Sequence, residues 1–132
     1  MGMEECGHYV LPRLGYFSST LYASTVLLAH RDLGTIRDEL SSLPTFFSAE
    51  KRVDCPEASK CAVMQHVIRR TQSCAGQVTT IDGVRIDWED GWLLVRPSGT
   101  SPYMKVNAEA SSPERLEQLS TLGMSMVNED LA

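Results

Sequence analysis

The stretch that most constrains the fold runs from Val84 to Ala110. Val84-Arg85-Ile86-Asp87-Trp88 and Trp92-Leu93-Leu94-Val95 flank Asp90-Gly91, a residue pair that tolerates the backbone of a tight hairpin turn. Further on, Met104, Val106, Ala108 and Ala110 alternate with Tyr103, Lys105, Asn107 and Glu109. A period of two places the first four on one face of a strand and Lys105 on the other. An apolar sheet face needs a cover, and the sequence offers two helices. One starts at Asp54-Cys55-Pro56-Glu57, with Pro56 in its first turn; it carries Cys61, Met64, Val67 and Ile68 as an apolar stripe and closes at Gly76. The other starts at Ser112-Pro113-Glu114 and carries Leu116, Leu119, Leu122 and Met126 on one side. Phe47 to Val53 reads as a strand, and Val78 to Trp88 as extended chain with a turn at Asp82-Gly83. Strand, helix, three or four strands and helix predict an α+β fold, an antiparallel sheet with helices packed on one face.

The first 45 residues follow another pattern. Tyr9-Val10-Leu11 reads as a short strand closed by Pro12. Thr20 to His30 reads as a helix, with Leu21, Val26, Leu27 and Leu28 as its apolar face. Gly34-Thr35 breaks the chain, and Thr35 is read as the N-cap of a second helix, Ile36 to Leu43, with Asp38 three residues on. This is a partial α/β segment that cannot by itself bury both faces of its strand. Residues 1–45 and 46–132 are therefore expected to be separate structural units.

The formal charge of −5 argues against a nucleic-acid partner, which would call for a basic face. The cysteines Cys6, Cys55, Cys61 and Cys74 form no Cys-x-x-Cys pair, and His8, His30 and His66 are scattered, so no metal site is expected. Buried free thiols in a reducing cytosol are the expected state. No basic stretch followed by an apolar core opens the chain, so no signal peptide is expected. The apolar run at Val26-Leu27-Leu28-Ala29 is too short to span a bilayer, so no membrane partner is expected and the protein is read as cytoplasmic.

Between the alternating strands lies Arg96-Pro97-Ser98-Gly99-Thr100-Ser101-Pro102. Arg96 can offer a planar two-pronged donor set to an oxyanion. Ser98 and Thr100 add hydroxyl donors, and Gly99 lets backbone N–H groups approach closely. Lys105 can bring a second positive charge to the same place. Residue types alone leave two readings, because Gly, Pro and Ser also build ordinary turns. The opening Met3-Glu4-Glu5-Cys6-Gly7-His8, taken by itself, reads as a polar turn with a satisfied histidine.

Arg96-Pro97-Ser98-Gly99-Thr100-x-Pro102, preceded by Asp90-Gly91-Trp92 and followed by Lys105 in a strand, resembles the phosphate loop of the α-D-phosphohexomutases. That family contains phosphoglucomutase, phosphomannomutase and phosphoglucosamine mutase. Ser101 stands where bacterial relatives usually carry a glutamate. Glu4, Gly7 and His8 match the family's sugar-binding loop, Gly-Glu-x-Ser-Gly-His, with Met3 at its first glycine and Cys6 at its serine. The resemblance implies that residues 1–45 are a remnant of the third, sugar-binding domain. It implies that residues 46–132 are the C-terminal phosphate-binding domain, whose fold is likened to that of the TATA-box-binding protein.

It further implies a part of an isomerase, an intramolecular phosphotransferase of carbohydrate metabolism. Arg96, Ser98, Gly99, Thr100 and Lys105 would hold the non-reacting phosphate of a hexose phosphate. Glu4 and Cys6 would contact the sugar, and His8 would assist proton transfer. The family's phosphoserine motif and its Asp-Gly-Asp-Gly-Asp magnesium loop do not occur in this sequence. Magnesium is thus expected only in a full-length enzyme, and this chain alone is expected to be inactive without the missing N-terminal domains as partner. Two rivals remain: a non-catalytic phosphosugar-binding or regulatory module, and an interaction domain in which the loop is only a turn. Association with a second copy through the orphaned apolar strand is a further expectation.

Overall fold

The computed structural model describes residues 2–3, 8–12, 15, 17–29 and 32–128 of the 132-residue chain. They fall into two compact units, Met1–Pro44 and Thr45–Ala132. In the first, strands β1 (Gly2–Met3) and β2 (Tyr9–Val10) pair antiparallel, and helices α1 (Thr20–Ala29) and α2 (Leu33–Ser42) follow. Ser19 starts α1 by accepting a hydrogen bond from the Tyr22 N–H. The helix forms as expected, but its apolar residues do not share a face. Leu21 and Leu28 are 81% and 78% exposed, and Val26 and Leu27 about half exposed. At about 100° per residue, positions 21, 26, 27 and 28 spread around the whole circumference.

Helix α2 corrects the expected start. Asp32, not Thr35, is the N-cap: its carboxylate accepts from the Thr35 N–H at 3.1 Å and from the Thr35 hydroxyl. These bonds hold the Asp32 carboxyl below the usual carboxylate range. An ionisable acceptor at the helix start also meets the positive end of the helix dipole, which a threonine hydroxyl does not.

The second unit is an antiparallel sheet of five strands. They are β3 (Phe47–Asp54), β4 (Gln77–Thr79), β5 (Val84–Trp88), β6 (Gly91–Pro97) and β7 (Tyr103–Ala110), in spatial order β3-β7-β6-β5-β4. Strands β4 to β7 form a meander, and β7 returns to pair with β3 over its whole length, from Phe47 opposite Ala110 to Asp54 opposite Tyr103. Between β3 and β4, a 3-10 turn (Glu57–Ser59) leads into helix α3 (Lys60–Thr71), and α4 (Pro113–Asn128) follows β7. Both helices pack on one sheet face, over Val84, Ile86, Leu93, Val95, Met104 and Val106, each at most 1% exposed. This is the α+β arrangement read from the sequence.

Local chemistry explains α4. Ser112 accepts from the Arg115 N–H at 3.2 Å, Pro113 opens the helix and Glu114 faces its positive end. Helix α3 departs from expectation in start, face and end. It is buried through Lys60, Val63, Val67 and Thr71, while Cys61 is exposed and Ile68 is 40% exposed. Cys61 is therefore not one of the expected buried thiols, whereas Cys55 is fully buried and Cys74 half-buried. The helix ends at Thr71 rather than at Gly76. Arg70 donates to the Ser125 carbonyl at 3.3 Å and ties α3 to α4.

Candidate functional site

The face of the sheet away from the helices is polar, and its register collects cations. Arg96 on β6 lies directly opposite Lys105 on β7, and Lys105 directly opposite Arg52 on β3. Like charges in facing positions are destabilising, and anions beside such a row offset the repulsion. Two carboxylates do so here. Glu50 accepts from Arg52 Nε at 2.9 Å and from Asn107, and lies 3.7 Å from Lys105 Nζ. The Arg52 hydrogen bond is the main reason that the Glu50 carboxyl sits below its ordinary range. At the other end Asp82, 80% exposed, accepts from Arg96 Nη1 at 3.1 Å. Arg96 Nε is buried without a hydrogen-bond partner, so that guanidinium retains an unspent donor.

Beyond Arg96 the chain turns through the polar loop. Ser98 is 5% exposed; its N–H donates to the Tyr103 carbonyl at 3.0 Å and its hydroxyl oxygen accepts from the Thr100 N–H at 3.4 Å. Gly99 and Thr100 are exposed. The loop opens on a groove of about 620 Å³ lined by Glu57, Cys61, Met64, Asp82, Arg96 and Gly99, among others. Arg96, Ser98, Gly99, Thr100 and Lys105 are thus gathered at one end of the sheet, as the spacing requires.

Three features escape a linear reading. Arg52 joins the row only through the pairing of β3 with β7, which local patterning does not announce. Asp82, a turn residue in the sequence, is the partner of Arg96. Lys60, 6% exposed, also lines the groove and holds the loop from that side. Its ammonium donates to Glu57 Oε2 at 2.6 Å and to the carbonyl oxygens of Ser98 at 2.6 Å and Ser101 at 2.9 Å. The only local hint was Glu57 three residues before Lys60 at a helix start.

The other predicted site residues belong to the first unit. His8 is exposed and immediately precedes β2. Glu4 and Cys6 lie outside the described residues.

A family model described as the C-terminal domain of phosphoglucomutase/phosphomannomutase matches residues 50–121, more than half of the chain. This chain belongs to that family. The matched region contains the cationic row, Lys60 and the polar loop. Among relatives, a protein of Methanococcoides burtonii named "Probable phosphoglucosamine mutase" is 32% identical over 99% of this chain and 30% of its own length. One of Methanopyrus kandleri with the same name is 36% identical over 89% of this chain and 26% of its own. A solved "Phosphoglucomutase/phosphomannomutase family protein" from Burkholderia thailandensis superposes with a TM-score of 0.74, covering 97% of this chain and 28% of that one. At 23% identity, that likeness establishes the fold. The chain thus spans somewhat under a third of the length of these relatives.

Proposed function

We propose that this chain is the C-terminal, phosphate-binding part of a phosphohexomutase and that it holds the phosphate of a hexose phosphate that is not being transferred. The observation that carries this reading is Arg96 beside the exposed Gly99 backbone at the groove, with Lys105 opposite Arg96 in the strand register. An incoming phosphate would take over the role that Asp82 and Glu50 play toward that row. It brings more charge than a carboxylate and three strong acceptor oxygens, and a guanidinium meets two of these at once. The names of the relatives favour a glucosamine phosphate among the hexose phosphates.

In phosphoryl transfer, positioning and neutralisation of charge supply most of the catalysis, and this unit contributes to both at the distal phosphate. Glu4, Cys6 and His8 would serve the sugar. The transferring groups belong elsewhere, since this sequence contains neither the phosphoserine motif nor the magnesium loop of the family. Among the described residues no three His, Cys, Asp or Glu side chains converge to hold an ion.

An amide-resonance titration with inorganic phosphate, glucose 6-phosphate, mannose 6-phosphate and glucosamine 6-phosphate tests the reading. Saturable shifts are expected from Arg96 to Lys105, and Arg96→Ala is expected to weaken binding roughly tenfold to a hundredfold, as for loss of a hydrogen bond to a charged group. The absence of shifts in the wild-type chain at millimolar ligand, or equal binding by the variant, would count against it.

Gly99 provides an independent check. Nothing lies within 4 Å of a Cβ added there, and its φ is not in the left-handed region. Gly99→Ala is therefore expected to leave stability within about 0.5 kcal/mol of wild type. Phosphate affinity is expected to fall several-fold, because the new methyl stands in the open space that the phosphate would use. Equal affinity in calorimetric titration would show that the glycine serves the turn alone.

A further inference from the structure

Lys60 is a buried cation that the reading of the loop as a phosphate site leaves unexplained. Its ammonium has three donors, and it spends all three on Glu57 and on the carbonyl oxygens of Ser98 and Ser101, 38 and 41 residues further along the chain. With its side chain 7% exposed and its donors occupied, it is poorly placed to serve as a ligand in its own right. What it does control is the direction of two peptide groups. The described peptide bonds are trans, so within each peptide plane the C=O and the N–H point in opposite directions. Drawing the Ser98 oxygen toward Lys60 turns the next N–H, that of Gly99, away from Lys60. The second captured carbonyl, that of Ser101, precedes Pro102, which has no N–H to aim. Of the two peptides held, one presents a donor, and it belongs to the exposed residue with open space above its Cα.

We infer that Lys60 is a positioning residue: by holding the Ser98 carbonyl it orients the Gly99 N–H as the backbone donor to the phosphate. The inference rests on the phosphate-binding reading of the loop and adds to it a specific donor and the group that aims it. Glu57 balances the ammonium at 2.6 Å but holds no peptide group, so it shares the charge and not the orientation.

The test is an amide-resonance titration of the full chain with inorganic phosphate, for wild type, Lys60→Met, Lys60→Arg and Glu57→Gln. In the wild type, the Gly99 amide proton is expected to move downfield on saturation by more than any other loop amide. In Lys60→Met, which keeps the length of the stem, that shift is expected to be lost and affinity to fall about tenfold, the weight of one backbone donor to a charged group. Circular dichroism would report whether the unit remains folded. Lys60→Arg is expected to restore part of the shift, and Glu57→Gln to retain it in full.

If Lys60→Met fails to fold, the wild-type titration still decides: phosphate binding that leaves the Gly99 amide unmoved overturns the inference. Wild-type affinity and an intact Gly99 shift in a folded Lys60→Met overturn it as well. Absence of any saturable shift in the wild type overturns the phosphate reading itself, and this inference with it. That outcome is distinct from binding that is lost in Arg96→Ala but indifferent to Lys60.

Discussion

Truncation of Leu93 to alanine is expected to destabilise the C-terminal unit by about 2–5 kcal/mol, the range for large-to-small changes in a closed core. Leu93 is fully buried on β6, with Ile86 of β5 opposite on one side and Ala108 of β7 on the other. Ala108 has no atoms with which to fill the space, and both neighbours are fixed by strand pairing, so the cavity cannot easily collapse. In urea denaturation the midpoint should fall with an unchanged slope, since the surface exposed on unfolding is nearly the same. Val78→Ala on the edge strand β4, where Val78 is 38% exposed, should shift stability by only about 0.5 kcal/mol. A loss below about 1 kcal/mol at Leu93 would show that the helices close over the gap.

The contrast between these positions indicates which parts of the fold were legible in the sequence. Where one strand has one wet and one dry face, side-chain alternation carries the whole signal. Tyr103 to Ala110 alternates in burial at every position, as its residue types do. The start of α4 was equally plain, because an N-cap serine, a proline and a glutamate act through bonds confined to one turn. Helix α3 was misread for the opposite reason. Its inner face includes Lys60 and Thr71, which no hydrophobic pattern selects, and Lys60 is buried only because the Ser98 and Ser101 carbonyls meet it there. Such a residue is explained by its partner, and the partner is remote in sequence. The same holds for Arg52, which joins Lys105 through a pairing between the first and last strands of the sheet. The loop itself was readable as a possible anion site because donor types, glycine and prolines are all local. What holds it in place was not.

Gly83→Ala is expected to show how closely the fold and the site are joined. Gly83 turns the chain between β4 and β5 with φ at 90°, a conformation that costs an L-residue roughly 1–2 kcal/mol. A Cβ there would also lie 2.4 Å from the Val95 carbonyl oxygen and 2.6 Å from Arg96 Cβ. The oxygen belongs to backbone in an interior strand of the sheet and cannot give way cheaply. A total loss of about 2–4 kcal/mol in chemical denaturation is the expected result, combining that strain with overpacking. The displacement should not stop at stability. Asp82 precedes Gly83 and holds Arg96, so any shift of the turn also moves the carboxylate that balances the cationic row. Phosphate affinity should therefore change in Gly83→Ala together with stability, whereas Gly99→Ala changes affinity alone. If Gly83→Ala were destabilised with phosphate binding intact, Arg96 would be positioned by β6 itself, and Asp82 would be only a surface partner. If both changed, the turn between β4 and β5 would be part of the site although none of its residues belongs to the loop.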